Sequence, residues 1–203
     1  MADKRLEDLP PHDRRGFFAA GLSRLLRPLA DYVEERLPVK VPPVRDHLRP
    51  PGAIPEEKFL RTCYRCGSCA DSCPVDAIAL LKSPNDGLAG TPQIDPSARA
   101  CALCDGLACM KACPSGALQL VDRFAIRIGL ARVNERLCVR AHGTDCAVCI
   151  DRCPLGTDAI RLDDRGHVGV IEPAETGRGC TGCGLCQEHC PTRPVRAIRV
   201  RAY

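Results

Sequence analysis

The cysteines of this chain fall into four groups of four, and the last cysteine of each group is followed by proline. All 16 cysteines of the 203-residue chain belong to a group. The last cysteines of successive groups lie 40, 40 and 37 residues apart, a spacing that indicates an internal repeat. The groups are Cys63, Cys66, Cys69 and Cys73; Cys101, Cys104, Cys109 and Cys113; Cys138, Cys146, Cys149 and Cys153; and Cys180, Cys183, Cys186 and Cys190.

Apart from these cysteines, the chain has little from which to build a large apolar core. It contains no Trp, 4 Phe and 3 Tyr. A chain this poor in aromatic side chains needs disulfides or metal for stability. The net charge of +4, with so few aromatics to stack on bases, argues against a nucleic-acid partner. No uninterrupted apolar run reaches the roughly 18 residues of a transmembrane helix.

The spacing within the groups separates three chemistries. The first and fourth groups have the pattern Cys-x-x-Cys-x-x-Cys-x-x-x-Cys-Pro, which binds 4Fe-4S clusters in bacterial ferredoxins. Disulfide scaffolds scatter their cysteines over distant loops, and structural zinc sites separate their Cys-x-x-Cys pairs by a dozen or more residues. The sequence therefore predicts four 4Fe-4S clusters, each held by four cysteines. A zinc-stabilised interaction module remains the alternative.

The fourth cysteine of such a group ligates the other cluster of a two-cluster module. The two regular groups match each other, and the two middle groups match in having longer gaps, between Cys104 and Cys109 and between Cys138 and Cys146. This favours a nested arrangement, with sequential pairing of neighbouring groups as the alternative. The nested ligand sets are Cys63, Cys66, Cys69 and Cys190; Cys101, Cys104, Cys109 and Cys153; Cys138, Cys146, Cys149 and Cys113; and Cys180, Cys183, Cys186 and Cys73.

A short apolar strand pattern follows each Cys-Pro pair, at residues 77–80, 117–120, 159–162 and 197–200. Turn signals at Asn85-Asp86-Gly87 and Asp164-Arg165-Gly166 lie between apolar runs. We predict an α+β fold in which residues 59–203 form two bacterial-type two-cluster ferredoxin modules. Residues 38–58 contain six prolines and are predicted to form an extended arm.

Residues 1–37 carry two competing signals. Arg14-Arg15-Gly16-Phe17-Phe18 resembles the core of a twin-arginine export signal, although Arg24 and Arg27 interrupt the apolar region that should follow. Apolar residues within 14–37 also recur at helical spacing, which predicts an amphipathic helix that docks on a partner, on the ferredoxin body or on a membrane surface. These apolar residues are Phe18, Leu22, Leu25, Leu29 and Val33.

Several motifs between residues 49 and 203 together resemble the NapG/MauM family of ferredoxin-type proteins. They are Arg49-Pro50-Pro51-Gly52-Ala53, Gly90-Thr91-Pro92, Cys109-x-x-x-Cys113-Pro114-x-Gly116-Ala117-Leu118, Ile128-Gly129-Leu130-Ala131 and Cys146-x-x-Cys149-x-x-x-Cys153-Pro154. The resemblance implies a four-cluster electron carrier, exported to the periplasm by the twin-arginine route. It also implies partners, namely a membrane quinol dehydrogenase as donor and a reductase as acceptor. An iron-sulfur subunit of a cytoplasmic oxidoreductase complex is the alternative.

Nothing outside the cysteine groups predicts catalysis. Four cysteine ligands for each cluster leave no open iron site, and no acid-base or nucleophile constellation accompanies them. We therefore expect an electron carrier and not an enzyme. Arginines alternate along the last predicted strand. The simpler interpretation is that they form a solvated strand face, and the alternative is that they steer an acidic redox partner towards the protein. The arginines are Arg193, Arg196, Arg199 and Arg201.

Overall fold

The computed structural model describes residues 47–82, 87–173 and 178–203. These residues belong to one compact unit, Pro43–Tyr203. The predictions made for residues 1–37, for the arm up to residue 46 and for the turn residues Asn85 and Asp86 lie outside the described residues.

The regular elements of the described ranges are short. The helices are α1 (Glu56–Thr62), α2 (Ser68–Asp71), α3 (Ala108–Lys111), α4 (Val148–Asp151) and α5 (Leu185–His189). The strands are β1 (Ile78–Leu80), β2 (Pro92–Ile94), β3 (Leu130–Val133), β4 (Ile160–Leu162), β5 (Val168–Val170) and β6 (Ile198–Arg201). Turns of 3-10 helix cover Arg123–Ala125, Val139–His142 and Gly156–Asp158. Helices this short are not stable alone, so tertiary contacts must hold them in place.

The strands repeat one arrangement in a first module (residues 47–122) and a second module (residues 123–203). In the first module β1 and β2 form an antiparallel pair, as β4 and β5 do in the second. Strands β3 and β6 form a third antiparallel pair, in which Val133 lies opposite Ile198. The corresponding contact in the first module is the antiparallel bridge between Ala53 and Leu118. These mixed short helices and sheets form the predicted α+β fold, with two ferredoxin modules in tandem.

Cysteines make up a large part of the core in the described residues. The largest fully buried apolar side chains are Phe59, Leu103, Ile126 and Ile128. Five cysteines are buried in the same cluster of side chains, namely Cys69, Cys109, Cys183, Cys186 and Cys190. The core is therefore as poor in aromatic groups as the composition indicates.

The described end of the predicted arm is an integral part of the first module. Leu48 forms a bridge with Ile94 of β2, and Arg49 and Pro50 are fully buried. Helix α1 then begins at Glu56, three residues before the predicted start of the ferredoxin domain. The prolines predict irregular backbone for this segment but not its burial, which depends on contacts with residues some forty positions away.

Arg49 anchors this segment. Its guanidinium donates to the Glu56 carboxylate at 2.5–3.0 Å and to the Thr91 hydroxyl and the Pro92 carbonyl at 2.9 Å each. It also lies over the Phe59 ring, 5.0 Å from the ring centroid. A buried charge is tolerated only when it is paired and hydrogen-bonded in this way. The anchor joins α1 to the β1–β2 hairpin.

Arg49→Ala is expected to lower the free energy of unfolding by about 3–5 kcal/mol, because it leaves the mostly buried Glu56 carboxylate without its partner. The matched control is Arg61→Ala, which breaks the exposed Arg61–Glu57 pair (2.6 Å). That change is expected to cost about 0–1 kcal/mol. Anaerobic chemical denaturation measures both values, and equal losses would contradict the anchoring role of Arg49.

Candidate metal centres

The sixteen cysteines surround four cavities, four cysteines to each. The cavity volumes are similar, at about 310, 360, 370 and 350 Å³ for cavities 1 to 4. Cavity 1 is lined by Cys63, Cys66, Cys69 and Cys113; cavity 2 by Cys73, Cys101, Cys104 and Cys109; cavity 3 by Cys138, Cys146, Cys149 and Cys190; and cavity 4 by Cys153, Cys180, Cys183 and Cys186.

The structure does not bring the nested ligand sets together, and its cavities group the cysteines as the sequential alternative does. Cys113, not Cys190, lies at the first cavity, and Cys73 lies at the second rather than the fourth. Likewise Cys190 lies at the third cavity and Cys153 at the fourth. The nested prediction relied on similar loop spacing, but spacing describes the loop and not the element that the loop packs against.

Paired helices explain the exchange of fourth cysteines. In the first module α2 packs against α3, and in the second α4 packs against α5. Each helix carries the third cysteine of its group and points the fourth towards the neighbouring cavity, as α2 does with Cys69 and Cys73. Each pair of cavities is therefore joined by two short helices.

The donor set fits a cluster of several atoms. None of the sixteen cysteines forms a disulfide. In the ranges that the structure describes, no three Cys, His, Asp or Glu side chains converge on a point that would hold a single metal ion. Four cysteine sulfur atoms around each cavity match the cysteine ligation of a 4Fe-4S cluster.

The electrostatics of the cavities favour a cationic occupant. Burial raises the pKa of the Cys69 and Cys109 thiols to about 12, and neighbouring thiols of the same cavity add to the rise. Burial also raises the pKa of Cys183 to about 12. Ligands must be thiolates, so these positions need the positive charge that iron provides.

The loops aim backbone amides at cysteine sulfur atoms. The residue before the second cysteine of a group has a positive φ at Arg65 (56°), Leu103 (47°) and Gly182 (76°). The amide of Arg65 donates to Cys63 Sγ and that of Leu103 to Cys101 Sγ, both at 3.4 Å. Such hydrogen bonds to cluster sulfur help to set reduction potentials.

Hydroxyl groups beside the cysteines are functional candidates that the sequence reasoning missed. Ser68 lies 3.3 Å from Cys66 Sγ, Ser115 lies 3.5 Å from Cys113 Sγ, and Thr192 lies 3.1 Å from Cys190 Sγ. In each case the hydroxyl residue follows the cysteine by two positions. The pattern Cys-x-Ser/Thr was therefore a readable signal.

Cavities 2 and 4 meet where the two modules touch. The amide of Cys101 at cavity 2 donates to the carbonyl of Cys183 at cavity 4, over 2.9 Å. One residue earlier, the amide of Ala100 donates to the Glu188 carboxylate at 2.9 Å. Two cysteine loops are thus joined directly through the backbone.

Gly184 allows this close approach. Its φ is +91°, and a Cβ at this position would lie 2.5 Å from two carbons of the Pro96 ring in the other module. The helix that follows, α5, contacts the other module because the side-chain amide of Gln187 donates to the Ser97 hydroxyl at 3.0 Å. The cavities therefore follow one another through the protein in the order 1, 2, 4, 3.

Comparison with known proteins assigns these centres to a family. A family model described as a 4Fe-4S dicluster domain matches residues 62–117 and 142–193, so each module carries one match. A methylamine utilization ferredoxin-type protein MauM of Methylorubrum extorquens is 38% identical over 159 residues, which cover 75% of this chain and 71% of the relative. The chain belongs to the MauM and NapG family of ferredoxin-type proteins. It carries four 4Fe-4S clusters, two in each matched dicluster domain.

Other family members match to a similar degree. MauM of Methylophilus methylotrophus is 37% identical over 148 residues, which cover 70% of this chain and 66% of the relative. The ferredoxin-type protein NapG of Escherichia coli is 37% identical over 151 residues, covering 70% of this chain and 65% of the relative. The chain thus spans slightly less than two thirds of the length of these relatives. No solved structure matches the chain. Within the described residues, no helix is both long and apolar enough to cross a bilayer.

Proposed function

We propose that the chain relays electrons between a quinol-linked membrane donor and a partner reductase, along cluster sites in the order 1, 2, 4, 3. The observation that carries this proposal is the contact between modules, in which the Cys101 amide donates to the Cys183 carbonyl. When bound, the clusters supply one-electron oxidation and reduction. The residues of the chain hold the four sites in one continuous series.

Cysteine ligation supports the role of a carrier and not that of an enzyme. We propose the four cysteines around each cavity as the ligands of one cluster. Complete cysteine ligation leaves no iron position open to a substrate. Cavity 4 is well shielded, since Cys183 and Cys186 are both buried. The chain is then suited to passing electrons to another protein and not to converting a substrate.

The proposed compartment is the periplasm, reached by twin-arginine export, with membrane contact through residues 14–37. The Arg14-Arg15 motif supports this part of the proposal, and so does the membership of a family that contains NapG and MauM proteins. Fractionation of cells that express the full chain tests it.

The relay is tested by widening the junction while all clusters stay in place. Gly184→Ala places a methyl group against Pro96 and is expected to push the modules apart. The protein is reduced with quinol in the presence of membranes of the source organism, and the absorbance of the clusters is recorded over time. The time course of reduction should then change from one kinetic phase to two. The slow phase should belong to the module that is remote from the donor.

Gly143→Ala is the matched control. Gly143 has a φ of +88°, close to that of Gly184, but a Cβ there would meet nothing within 4 Å. It therefore reproduces the backbone strain without the collision, and reduction should remain in one phase. The proposal would fail if quinol and membranes did not reduce the wild-type protein, or if Gly184→Ala with its full iron content behaved like Gly143→Ala.

A further inference from the structure

The strand pair β3–β6 has an inner face that covers two cluster sites. Ala131 and Val200 lie opposite each other and line cavity 4, whereas Val133 and Ile198 form the next such pair and line cavity 3. Side chains alternate across a strand, so the residues between these pairs point away from the clusters. Only one layer of sheet, the β3–β6 pair itself, therefore separates the outer face from cavities 3 and 4.

Three arginines occupy this outer face. Arg132 lies directly opposite Arg199, and Arg201 follows two residues later on the same side. We call these three residues the arginine face. All three are exposed, and in the described part of the chain only Arg132 has a carboxylate partner, Glu172 at 2.8 Å. Like charges placed directly opposite each other destabilise a strand pair, so folding alone does not account for this pattern.

The first module provides an internal comparison. Gly52, Gln119 and Val121 stand where the second module has Arg132, Arg199 and Arg201, because Ala53 opposite Leu118 corresponds to Val133 opposite Ile198. The whole modules differ in the same direction. Residues 123–203 contain 13 basic and 9 acidic residues, whereas residues 47–122 contain 7 and 8. The two modules share one fold, but only the second module has an excess of basic residues.

We propose that the arginine face is the docking surface for an acidic redox partner protein, which exchanges electrons with the clusters at cavities 3 and 4. This inference rests on the proposed relay. All 13 basic residues of the second module are arginine, whose planar guanidinium pairs with carboxylates through two hydrogen bonds. A partner on this face sits next to two cluster sites, which favours a redox protein over a passive surface. Its carboxylates would relieve the repulsion between Arg132 and Arg199.

The test uses a gold electrode coated with a carboxylate-terminated monolayer as a substitute for the acidic partner. Arg199→Gln/Arg201→Gln introduces the Gln119 type of side chain and removes two charges. It should lower the rate of electron transfer at the electrode about tenfold at low salt, the lower end of what electrostatic steering provides. On a hydroxyl-terminated monolayer, the variant and the wild type should transfer electrons at the same rate.

Lys58→Gln/Lys82→Gln is the control, because it removes two charges from exposed positions of the first module. It should leave the rate on the carboxylate monolayer unchanged. Equal losses in both variants would assign the effect to net charge, and no loss in either would leave the face without a role; both results overturn the proposal. It is also overturned if the arginine variant loses binding only to phosphatidylglycerol vesicles and keeps its electrode rate, since the face would then contact a membrane.

Iron content separates this inference from the relay itself. Both variants and the wild type are first shown to hold about 16 iron atoms per chain. A wild-type chain without clusters would overturn the proposed function and this inference together. With clusters present, an unchanged rate in the arginine variant overturns the docking surface alone.

Discussion

Removal of the four clusters is expected to unfold the body of the protein. Each of the four cavities would lose the group that fills it and joins its four cysteines. Loss of one buried leucine side chain already costs about 2.7–5 kcal/mol, and a typical domain is stable by only about 5–15 kcal/mol. Helices of four to seven residues are not stable on their own, so they would not persist without the clusters. Anaerobic treatment with a chelator and an oxidant, followed by circular dichroism and hydrogen exchange, should show loss of structure and protection.

Reconstitution is the control for this experiment. Iron and sulfide should restore protection, which would show that oxidation of the chain is not the cause of unfolding. Zinc alone should not, because no three metal-binding side chains of the described residues converge on a single ion. Protection that survives complete loss of iron, or that zinc restores, would contradict the view that clusters replace an apolar core.

Features encoded by neighbouring residues could be predicted from the sequence. Strands β1, β4 and β6 begin five to eight residues after a group's last cysteine, within the apolar patterns predicted for them. The turn at Asp164-Arg165-Gly166 is present, where Gly166 has a φ of +78° and the Asp163 amide donates to the His167 carbonyl at 2.8 Å. Each depends on the intrinsic preferences of a few consecutive residues.

Features that depend on distant contacts could not be predicted in this way. Arg49 belongs to a Pro-rich segment, and only its partners Glu56 and Thr91 reveal that it is buried. The pairing of cysteine groups depends on which helices pack together, and the spacing of a group carries no information about its neighbour. The arginines of β6 were visible in the sequence, but their significance depends on what the opposite face of the strand pair covers.

Double substitutions are expected to distinguish the sequential pairing from the nested one. Cys63→Ser should remove the cluster at cavity 1 and leave about 12 iron atoms per chain. Adding Cys113→Ser should cost no further iron, because both cysteines line the same cavity. Adding Cys190→Ser instead should remove a second cluster and leave about 8 iron atoms. Iron and acid-labile sulfide are measured on anaerobically purified protein, with the single variants Cys113→Ser and Cys190→Ser as controls.

This comparison holds even if loss of one cluster unfolds its whole module. Cys63→Ser would then leave about 8 iron atoms, Cys63→Ser/Cys113→Ser the same number, and Cys63→Ser/Cys190→Ser almost none. The nested arrangement reverses the order, because Cys190 would share a cluster with Cys63 and Cys113 would not. Additional iron loss with Cys113→Ser but not with Cys190→Ser would therefore contradict the sequential pairing. It would also contradict the order 1, 2, 4, 3, since that order requires each module to hold both of its clusters.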